Sequence, residues 1–399
     1  MRAGRLRHIS AASFLAAGLM ALSACAGSAE GKEAAPSASP SASPSPQLDA
    51  TITEPANGAT RVPTSTEVAV TSDGTVDSVV VEGAGKELEA ELHPDGRHWL
   101  LPKQLAFGKE YTVTATVSKG DATSTATSTF TTMNRPGKLN GASPYTFDGD
   151  TYGVGMPIAV ELNAAVPKNL RAAIERRFFV AATPTVEGSW YWWSDSELHY
   201  RPRTYWKPGT KVSVRLAIGG MPMGYGSYGM RDRVVDFEIG DHVVTTVDAA
   251  AHIAKVYRDG KLIRTMLVST GKASMPSSSG THVVMDKQAE MTFDSGTFGV
   301  PHDTPGGYRQ KVQWDVRYTW QGEFFHSAPW SVGDQGYRNV SHGCVNLSPA
   351  NAQWFFDLAK KGDIIKIVNT GRKVQGGNGW TDWNVPWDEY VKGSALYKA

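Results

Sequence analysis

The sequence predicts a mostly β protein in which two β-sandwich modules precede a third β-rich segment with one short helix. Residues 48–134 and 135–241 contain short stretches of alternating apolar and polar side chains, and Gly, Asn and Pro turns separate these stretches. Residues 242–370 begin with further alternating stretches, which the hairpin signal RDGK at 258–261 connects. Period-two alternation between turn signals is typical of half-buried strands. We therefore expect sheets to dominate all three segments.

The first 24 residues have the composition of an export signal. Arg2, Arg5 and Arg7 form a basic start, and residues 9–22 are mostly apolar but too few to span a bilayer comfortably. The sequence LSAC that ends at Cys25 resembles the lipobox of bacterial lipoproteins, in which the cysteine is lipidated and becomes the mature N-terminus. Ordinary cleavage that leaves Cys25 free is the alternative. We expect an extracytoplasmic protein that Cys25 anchors to the cell membrane.

Residues 25–47 read as a linker because they are rich in Pro, Ser and Ala and have almost nothing apolar to bury. In an extended polyproline-like state they would reach ~70 Å from the membrane surface. The chain has two cysteines. With Cys25 lipidated, no disulfide is expected, and Cys344 remains a thiol in an oxidising compartment.

The two modules that follow read as spacers. The opening of the first one, TITEPANGA at 51–59, is similar to bacterial immunoglobulin-like modules, and the second one repeats the strand pattern with a short helix over 167–177. Neither module carries a compact set of titratable side chains. We expect their tryptophans and tyrosines mainly to pack in β cores, although contact with glycan is an alternative.

The third segment combines strands with a helix over 349–360. Residues 294–312 are rich in Gly and Pro and predict a mobile flap over a site, with Phe298 and Tyr308 able to contact a ligand. A poorly ordered surface loop is the alternative. Residues 371–399 carry three tryptophans and should pack back as a C-terminal subdomain, because exposing those rings would be costly.

The charge balance argues against nucleic acid as a partner. The formal net charge is +1, and the chain has no run of Lys and Arg that would form a basic patch. The apolar content is that of a globular protein, and no second membrane span is evident. The chemistry must therefore be sought in individual residues.

Cys344 and His326 are the residues most suited to catalysis. A free thiol has a pKa of about 8.5, but a nearby imidazole can take its proton and hold a thiolate–imidazolium pair. We expect Cys344 to be the nucleophile and His326 its base. Gly343 removes a side chain beside the nucleophile, so backbone N–H groups around it are candidates for an oxyanion hole.

Three other interpretations of this cluster stay open. Cys344 could be a buried, unreactive cysteine. His326, His342 and Cys344 could bind zinc with His282 or His302 as a fourth ligand, although the usual Cys-x-x-Cys and His-x-x-x-His spacings are absent. A papain-like protease is disfavoured because its cysteine precedes its histidine in the chain.

The residues around the pair resemble one family closely. His326 is followed by fourteen residues and then by SHGC at 341–344, which resembles the signature of the L,D-transpeptidases, bacterial enzymes that crosslink peptidoglycan and are acylated by carbapenems. The likeness spans roughly residues 242 to 390, and the preceding region is similar to the tandem immunoglobulin-like modules of mycobacterial-type members. The further matching segments are TFGVP at 297–301, GYR at 307–309, HSAPWSVG at 326–333, SPANAQW at 348–354 and WNVPWD at 383–388.

The resemblance implies an acyl transfer that needs no cofactor and no metal. Cys344 would attack the carbonyl between meso-diaminopimelate and the terminal D-Ala of a tetrapeptide stem. His326 would then deprotonate the acceptor amine of a second stem, which gives a 3→3 crosslink. By the same resemblance, the Ser327 carbonyl orients His326 and His342 braces the nucleophile loop, while an exchange of roles between the two histidines stays open. The positions that match substrate contacts are Phe298, Tyr308, Gln321, Gly322, Trp330 and Asn346.

Some positions depart from the family pattern, and two rival functions remain. Relatives often carry Tyr where this chain has Phe298, and Phe293 and Gln321 also differ, so the donor preference is expected to differ. Water in place of the acceptor amine would make the protein an L,D-carboxypeptidase. A wall-binding lipoprotein without turnover is the other rival, and the intact Cys344–His326 pair argues against it. Because the titratable cluster lies in the third segment, we expect residues 242–399 alone to be acylated.

Overall fold

The chain folds into seven β-sheets in a computed structural model that describes residues 48–93, 96–305 and 307–398, with the side chain of Phe298 excepted. This confirms the predicted mostly β class. The export signal, Cys25 and the linker, residues 1–47, lie outside the described residues. Within the described ranges, no helix is both long and apolar enough to cross a membrane.

The first pair of sheets forms a sandwich around one apolar core, which includes the fully buried Val68, Val79 and Val113. Period-two alternation places these side chains on the inner faces of the strands. The sheets have four and five strands, which in spatial order are Ala50–Glu54, Glu67–Ser72, His98–Leu100 and Glu91–Leu92, and Ala59–Val62, Ala122–Thr132, Glu110–Lys119, Thr75–Gly83 and Lys86–Glu89.

The second sandwich has two four-stranded sheets, a small three-stranded sheet and the helix Lys168–Glu175, where a helix over 167–177 was predicted. Its strands in spatial order are Ala142–Pro144, Ile158–Leu162, Glu197–Pro202 and Gly188–Trp192; Thr151–Tyr152, Arg233–Ile239, Lys211–Leu216 and Phe178–Thr183; and Leu139–Asn140, Ser227–Gly229 and Pro222–Gly224.

The third segment has a six-stranded sheet and a four-stranded sheet that share a core with the helix Pro349–Leu358. Ser348 caps this helix through a hydrogen bond from Asn351 N–H to its hydroxyl. The six-stranded order is Lys261–Leu267, Ile253–Arg258, Val243–Asp248, Ile364–Val368, Ser278–Val283 and Arg372–Lys373; the four-stranded order is Asp286–Asp294, Arg309–Arg317, Phe324–Ser327 and Val345–Leu347.

The short helical turns lie at the edges of this segment and beyond it. They are the 3-10 turns Ser295–Phe298, Pro329–Ser331, Asp382–Asn384 and Val391–Gly393, and the one-turn helix Trp387–Tyr390.

The second sandwich shares its apolar core with the third segment. Val283, Met285, Ile364 and Trp380 are buried in the same cluster as the side chains of the sandwich. The backbones also meet, since Gly153 N–H donates to the Lys361 carbonyl at 2.8 Å. A Cβ on Gly153 would lie 2.3 Å from the Asp363 nitrogen, so only glycine permits this approach.

The C-terminal segment packs on both of these neighbours. Asp382 accepts a hydrogen bond from His199 Nδ1 at 3.0 Å in the second sandwich, and both side chains are buried. The Arg201 guanidinium lies over the Tyr390 ring, 4.2 Å from its centroid. On the other side, Thr281 N–H in the six-stranded sheet donates to the side chain of Asn384 at 2.8 Å. The three units are thus held together by buried polar and apolar contacts.

Candidate active site

The four-stranded sheet brings Cys344 and His326 to one face. The strand Phe324–Ser327 pairs in parallel with Val345–Leu347, and Phe325 lies beside Val345 while His326 lies beside Asn346. Successive side chains point to opposite faces. Phe325 and Val345 enter the core, so His326, Phe324, Cys344 and Asn346 project from the other face. A histidine and a cysteine that are far apart in sequence therefore meet through strand pairing.

The Cys344 thiol is partly buried at the floor of a cavity. Its Sγ lies 3.8 Å from the Gly322 carbonyl. Burial is the main cause that raises the pKa of the thiol to about 12. The negative charges of Glu323 and Asp315 act in the same direction, and a hydrogen bond from the Phe324 backbone N–H opposes them. At neutral pH the resting nucleophile is a protonated thiol.

His326 is 3% exposed and is oriented by the backbone. Its Nδ1–H donates to the Ser327 carbonyl at 2.9 Å, so Nε2 carries the free lone pair. Phe293 meets the imidazole edge-on with centroids 5.0 Å apart, and Trp330 stacks on it at 6.0 Å. Burial lowers the pKa of His326 to about 4, against a smaller opposing effect of the Ser327 hydrogen bond.

The resting pair is therefore neutral, in contrast to the thiolate–imidazolium pair that the sequence predicted. The reason is desolvation, because both groups would have to carry charge in a site with little contact with water. In the described residues, no hydrogen bond joins Cys344 to His326. Proton transfer from thiol to imidazole is thus not completed in the resting site.

The backbone N–H groups around Gly343 differ in whether they are open to an oxyanion. Gly343 has a φ of +133°, a backbone conformation that favours glycine. Its N–H, however, donates to Ser341 Oγ at 3.1 Å and is not free for an oxyanion. Among the described residues no acceptor is within hydrogen-bond distance of the Cys344 N–H. This N–H is the better oxyanion-hole candidate.

His342 is placed unlike a general base. The Lys272 ammonium donates to its Nε2 at 3.1 Å, so this lone pair is occupied. Its ring contacts Tyr308 with centroids 5.5 Å apart. Partial burial lowers the pKa of His342, and the Lys272 charge lowers it further. The imidazole is neutral, and its contact with the Tyr308 ring joins the nucleophile loop to the flap.

A cavity of about 590 Å³ opens over the thiol. Phe293 and Asp294, at the end of their strand, line one side together with Tyr308, and the turn before the His326 strand lines the other. The full lining consists of Met275, Met291, Thr292, Phe293, Asp294, Thr297, Tyr308, Arg317, Trp320, Gln321, Gly322, Glu323, Phe324, His342, Cys344 and Arg372. The cavity volume suits a peptide-sized ligand.

The flap is shorter than the predicted range 294–312. The strands Asp286–Asp294 and Arg309–Arg317 form an antiparallel hairpin, and Asp294 still pairs with Arg309. Only the connection between them, with the turn Ser295–Phe298, is irregular. The main chain of Tyr308 is tied to Ser295, whose N–H donates to the Tyr308 carbonyl at 3.0 Å. Burial raises the pKa of Tyr308 to about 12, so its hydroxyl stays protonated.

The remaining predicted contact residues are distributed around this cavity. Gln321 lines it, and its side-chain carbonyl accepts from Asn378 Nδ2 at 3.3 Å. Trp330 is 53% exposed and lies against His326 rather than in the cavity lining. Asn346 is 2% exposed, and its Nδ2 donates to Ser331 Oγ at 3.0 Å, while its Oδ1 has no partner among the described residues.

Phe298 ends the flap turn, and its side chain lies outside the described residues.

Sequence reasoning missed an ion pair beside the nucleophile. Glu323 is 6% exposed and is bound by Arg372, while Ser278 Oγ donates to it at 2.9 Å. Burial raises the pKa of Glu323, and Arg372 opposes this shift. The two residues are far apart in sequence, so no local pattern predicts their contact.

In the parts of the chain that the structure describes, no group of three or more His, Cys, Asp and Glu side chains is arranged to hold a metal ion. The fourth zinc ligands considered from the sequence have other neighbours: His282 Nε2 is 2.9 Å from the Ser278 carbonyl, and His302 Nε2 is 2.5 Å from Asp294. The side chains considered as zinc ligands therefore do not surround a common metal position in the described residues.

Comparisons with known proteins agree with this geometry. The L,D-transpeptidase catalytic domain family matches residues 242–367, and the bacterial Ig domain family matches residues 59–222, a range that reaches into both sandwiches. A solved L,D-transpeptidase in complex with imipenem is 36% identical, with a TM-score of 0.50 over 58% of this chain and 100% of that chain.

Two curated relatives come from Mycobacterium tuberculosis. L,D-transpeptidase 1 is 37% identical over 227 residues, which cover 57% of this chain and 84% of the relative. L,D-transpeptidase 2 is 39% identical over 355 residues, which cover 88% of this chain and 85% of the relative. Since this likeness extends through the sandwiches and the site alike, the chain belongs to the L,D-transpeptidase family.

Proposed function

We propose that this family member crosslinks peptidoglycan by acyl transfer through Cys344. The observation that carries the proposal is that two adjacent parallel strands bring His326 and Cys344 to one face of the sheet, with Cys344 lining the cavity. The donor would be a tetrapeptide stem, and the acceptor would be the side-chain amine of diaminopimelate on a second stem. The product would be a 3→3 crosslink with release of D-Ala.

In the acylation half, His326 Nε2 takes the thiol proton as Cys344 Sγ attacks the donor carbonyl. The C–N bond to D-Ala then breaks, and the imidazolium returns the proton to the leaving amine. A thioester remains. The Ser327 carbonyl, 2.9 Å from Nδ1, keeps the imidazole in the tautomer that this transfer requires.

In the second half, His326 Nε2 accepts a proton from the acceptor amine as this amine attacks the thioester. The thiolate then leaves and is reprotonated by the imidazolium. Both half-reactions use a neutral imidazole at the start, which matches the lowered pKa of His326. Water as acceptor would give L,D-carboxypeptidase activity with the same residues.

We place the enzyme outside the cytoplasm, with lipid on Cys25 as its membrane anchor and residues 26–47 as its tether. The support is the basic and apolar start of the chain followed by LSAC. Membrane fractions of cells that produce the parent chain and Cys25→Ala test this proposal. Equal retention of both in the membrane would contradict lipid anchoring.

Carbapenems should acylate Cys344, because a solved relative was determined in complex with imipenem. Intact-protein mass spectrometry should show one imipenem adduct, and peptide mapping should place it on Cys344. Cys344→Ser should abolish both the adduct and crosslinking, and His326→Ala should react more slowly by at least ~10²-fold. His98→Ala, which changes a histidine of the first sandwich, is the matched control and should react like the parent.

Purified disaccharide-tetrapeptide provides the test of turnover. A dimer that has lost one D-Ala supports transpeptidation, and tripeptide without dimer supports the carboxypeptidase. Turnover by Cys344→Ser, or loss of turnover on metal chelation, would overturn the mechanism and favour a metal site.

A further inference from the structure

Asp315 is a buried carboxyl group beside the catalytic histidine that the mechanism above leaves unused. Its side chain is 1% exposed, and neither of its oxygens has a hydrogen-bond partner among the described residues. Leaving a buried carboxyl without a partner is costly. Its position therefore calls for a reason other than stability.

Strand register places Asp315 next to His326. Val316 pairs with Phe325 and Arg317 with Phe324, where the antiparallel pairing ends, and continuing this register by one residue sets Asp315 beside His326. Val316 and Phe325 point into the core, so Asp315 and His326 share the opposite face. On that face, Asp315, His326 and Asn346 form one row, and Arg317, Phe324 and Cys344 form the next.

This arrangement puts the carboxyl one strand from the base and two strands from the nucleophile. Neighbouring strands lie about 4.8 Å apart, so Asp315 is nearer to His326 than to Cys344. Its charge also reaches Cys344, where it raises the pKa of the thiol, but it does so across the longer of the two distances. Of the other charged groups, Arg317 is on the same strand, Asp286 lies opposite Arg317 on the paired strand, and Asp294, Glu323 and Arg372 line the cavity over Cys344. The Arg317 guanidinium lies over Phe324 at 5.1 Å. His326 is thus the base nearest to Asp315 across the sheet.

We propose that Asp315 is a positioning residue whose carboxylate stabilises the His326 imidazolium while Cys344 is being acylated. The inference rests on the proposed function. When the thiol proton moves to His326 Nε2, a neutral pair becomes an imidazolium and a sulfur that carries negative charge until its bond to the donor carbonyl forms. A carboxylate nearer to the imidazolium than to the sulfur favours this state in a poorly solvated site.

The carboxyl group accepts no proton in this step. The proton passes from Cys344 Sγ to His326 Nε2 and then to the leaving amine, and Asp315 acts only through its charge. Nδ1 of His326 stays bonded to the Ser327 carbonyl. Asp315 thus supplies the charge of a triad carboxylate from the side of the ring rather than through a hydrogen bond.

Asp315 should also make the rate depend on pH near neutrality. Burial raises the pKa of Asp315 to about 7, so the carboxyl is neutral below this pH and ionised above it. Acylation should therefore speed up as pH rises from about 6 to about 8. Asp315→Asn keeps the shape of the side chain but cannot ionise, so this rise should disappear.

The experiment measures single-turnover acylation of the full chain by imipenem between about pH 5.5 and about pH 8.5. Asp315→Asn is expected to be on the order of 10-fold slower than the parent at about pH 8 and close to it at about pH 5.5. Asp286→Asn is the matched control, because it removes an exposed carboxylate from the same sheet face, in the row of Cys344 but on the far edge strand. It should retain the parent profile.

The outcomes test two claims, the role of Asp315 and the proposed function. A parent rate that is flat across this pH range, or an Asp315→Asn profile equal to the parent's, would overturn the role of Asp315. The first result needs no variant, so it holds even where Asp315→Asn folds poorly. If His326→Ala also acylates at the parent rate, the proposed function itself fails. Loss in Asp315→Asn and in Asp286→Asn alike would indicate a general charge effect and would also overturn the proposal.

Discussion

Removal of the second sandwich should unfold the third segment, because the two share one apolar core. Val283, Met285, Ile364 and Trp380 are buried in the cluster of the sandwich. Burial of such side chains contributes roughly 1.5–3 kcal/mol each, so exposing all four would cost up to about 6–12 kcal/mol. A domain is stable by only about 5–15 kcal/mol. The fragment 242–399 should therefore retain little or no free energy of unfolding.

Thermal unfolding followed by circular dichroism tests this expectation. The control fragment, residues 135–399, removes the first sandwich but keeps the shared core, and it should unfold cooperatively and form the imipenem adduct. The sequence alone predicted that 242–399 would be sufficient for acylation. Cooperative unfolding of 242–399 at the temperature of the control would show that the shared core contributes little and would refute the reasoning.

Two further predictions concern the contacts that hold the units together. Gly153→Ala should lower the free energy of unfolding by about 1–3 kcal/mol, because the added Cβ would meet backbone atoms. Gly137 has open space around it, so Gly137→Ala is the control and should leave the stability unchanged. Equal urea midpoints for the two variants would contradict this prediction. Burial alone would lower the pKa of His199, but Asp382 raises it to about 9. Because the pKa of His199 is higher in the folded than in the unfolded chain, its interaction with Asp382 stabilises the fold by about 3 kcal/mol. This stabilisation is complete below about pH 6.5 and is lost as pH rises through about 9. Urea unfolding from about pH 6 to about pH 10 should show this loss in the parent and not in His199→Gln.

Local signals predicted much of the fold. The hairpin at 258–261 forms as expected, with positive φ at Asp259 and Gly260, which is the geometry that this turn requires. The helix beginning at Pro349 is preceded by a Ser348 cap, as its sequence suggests. Such features depend on neighbouring residues only, so they can be read from the chain.

Sequence reasoning singled out Cys344 and His326, which strand pairing brings together, but it did not predict their electrostatics. The spacing identified Cys344 and His326, yet their protonation depends on burial, which arises from strands that pair across the chain. The row that joins Asp315 to His326 depends on strand register, and the Glu323–Arg372 pair joins residues 49 positions apart. Long-range pairing of this kind leaves no local pattern.

The protonated state of Cys344 also protects it from oxidation. Peroxides and disulfides react with the thiolate, so a pKa raised from 9.0 to about 12 lowers the reactive fraction at neutral pH by about a thousandfold. A thiol that is rarely ionised at rest is oxidised more slowly. On the proposed mechanism, the thiol becomes reactive only when a ligand in the cavity brings an electrophile to the sulfur and His326 takes the thiol proton.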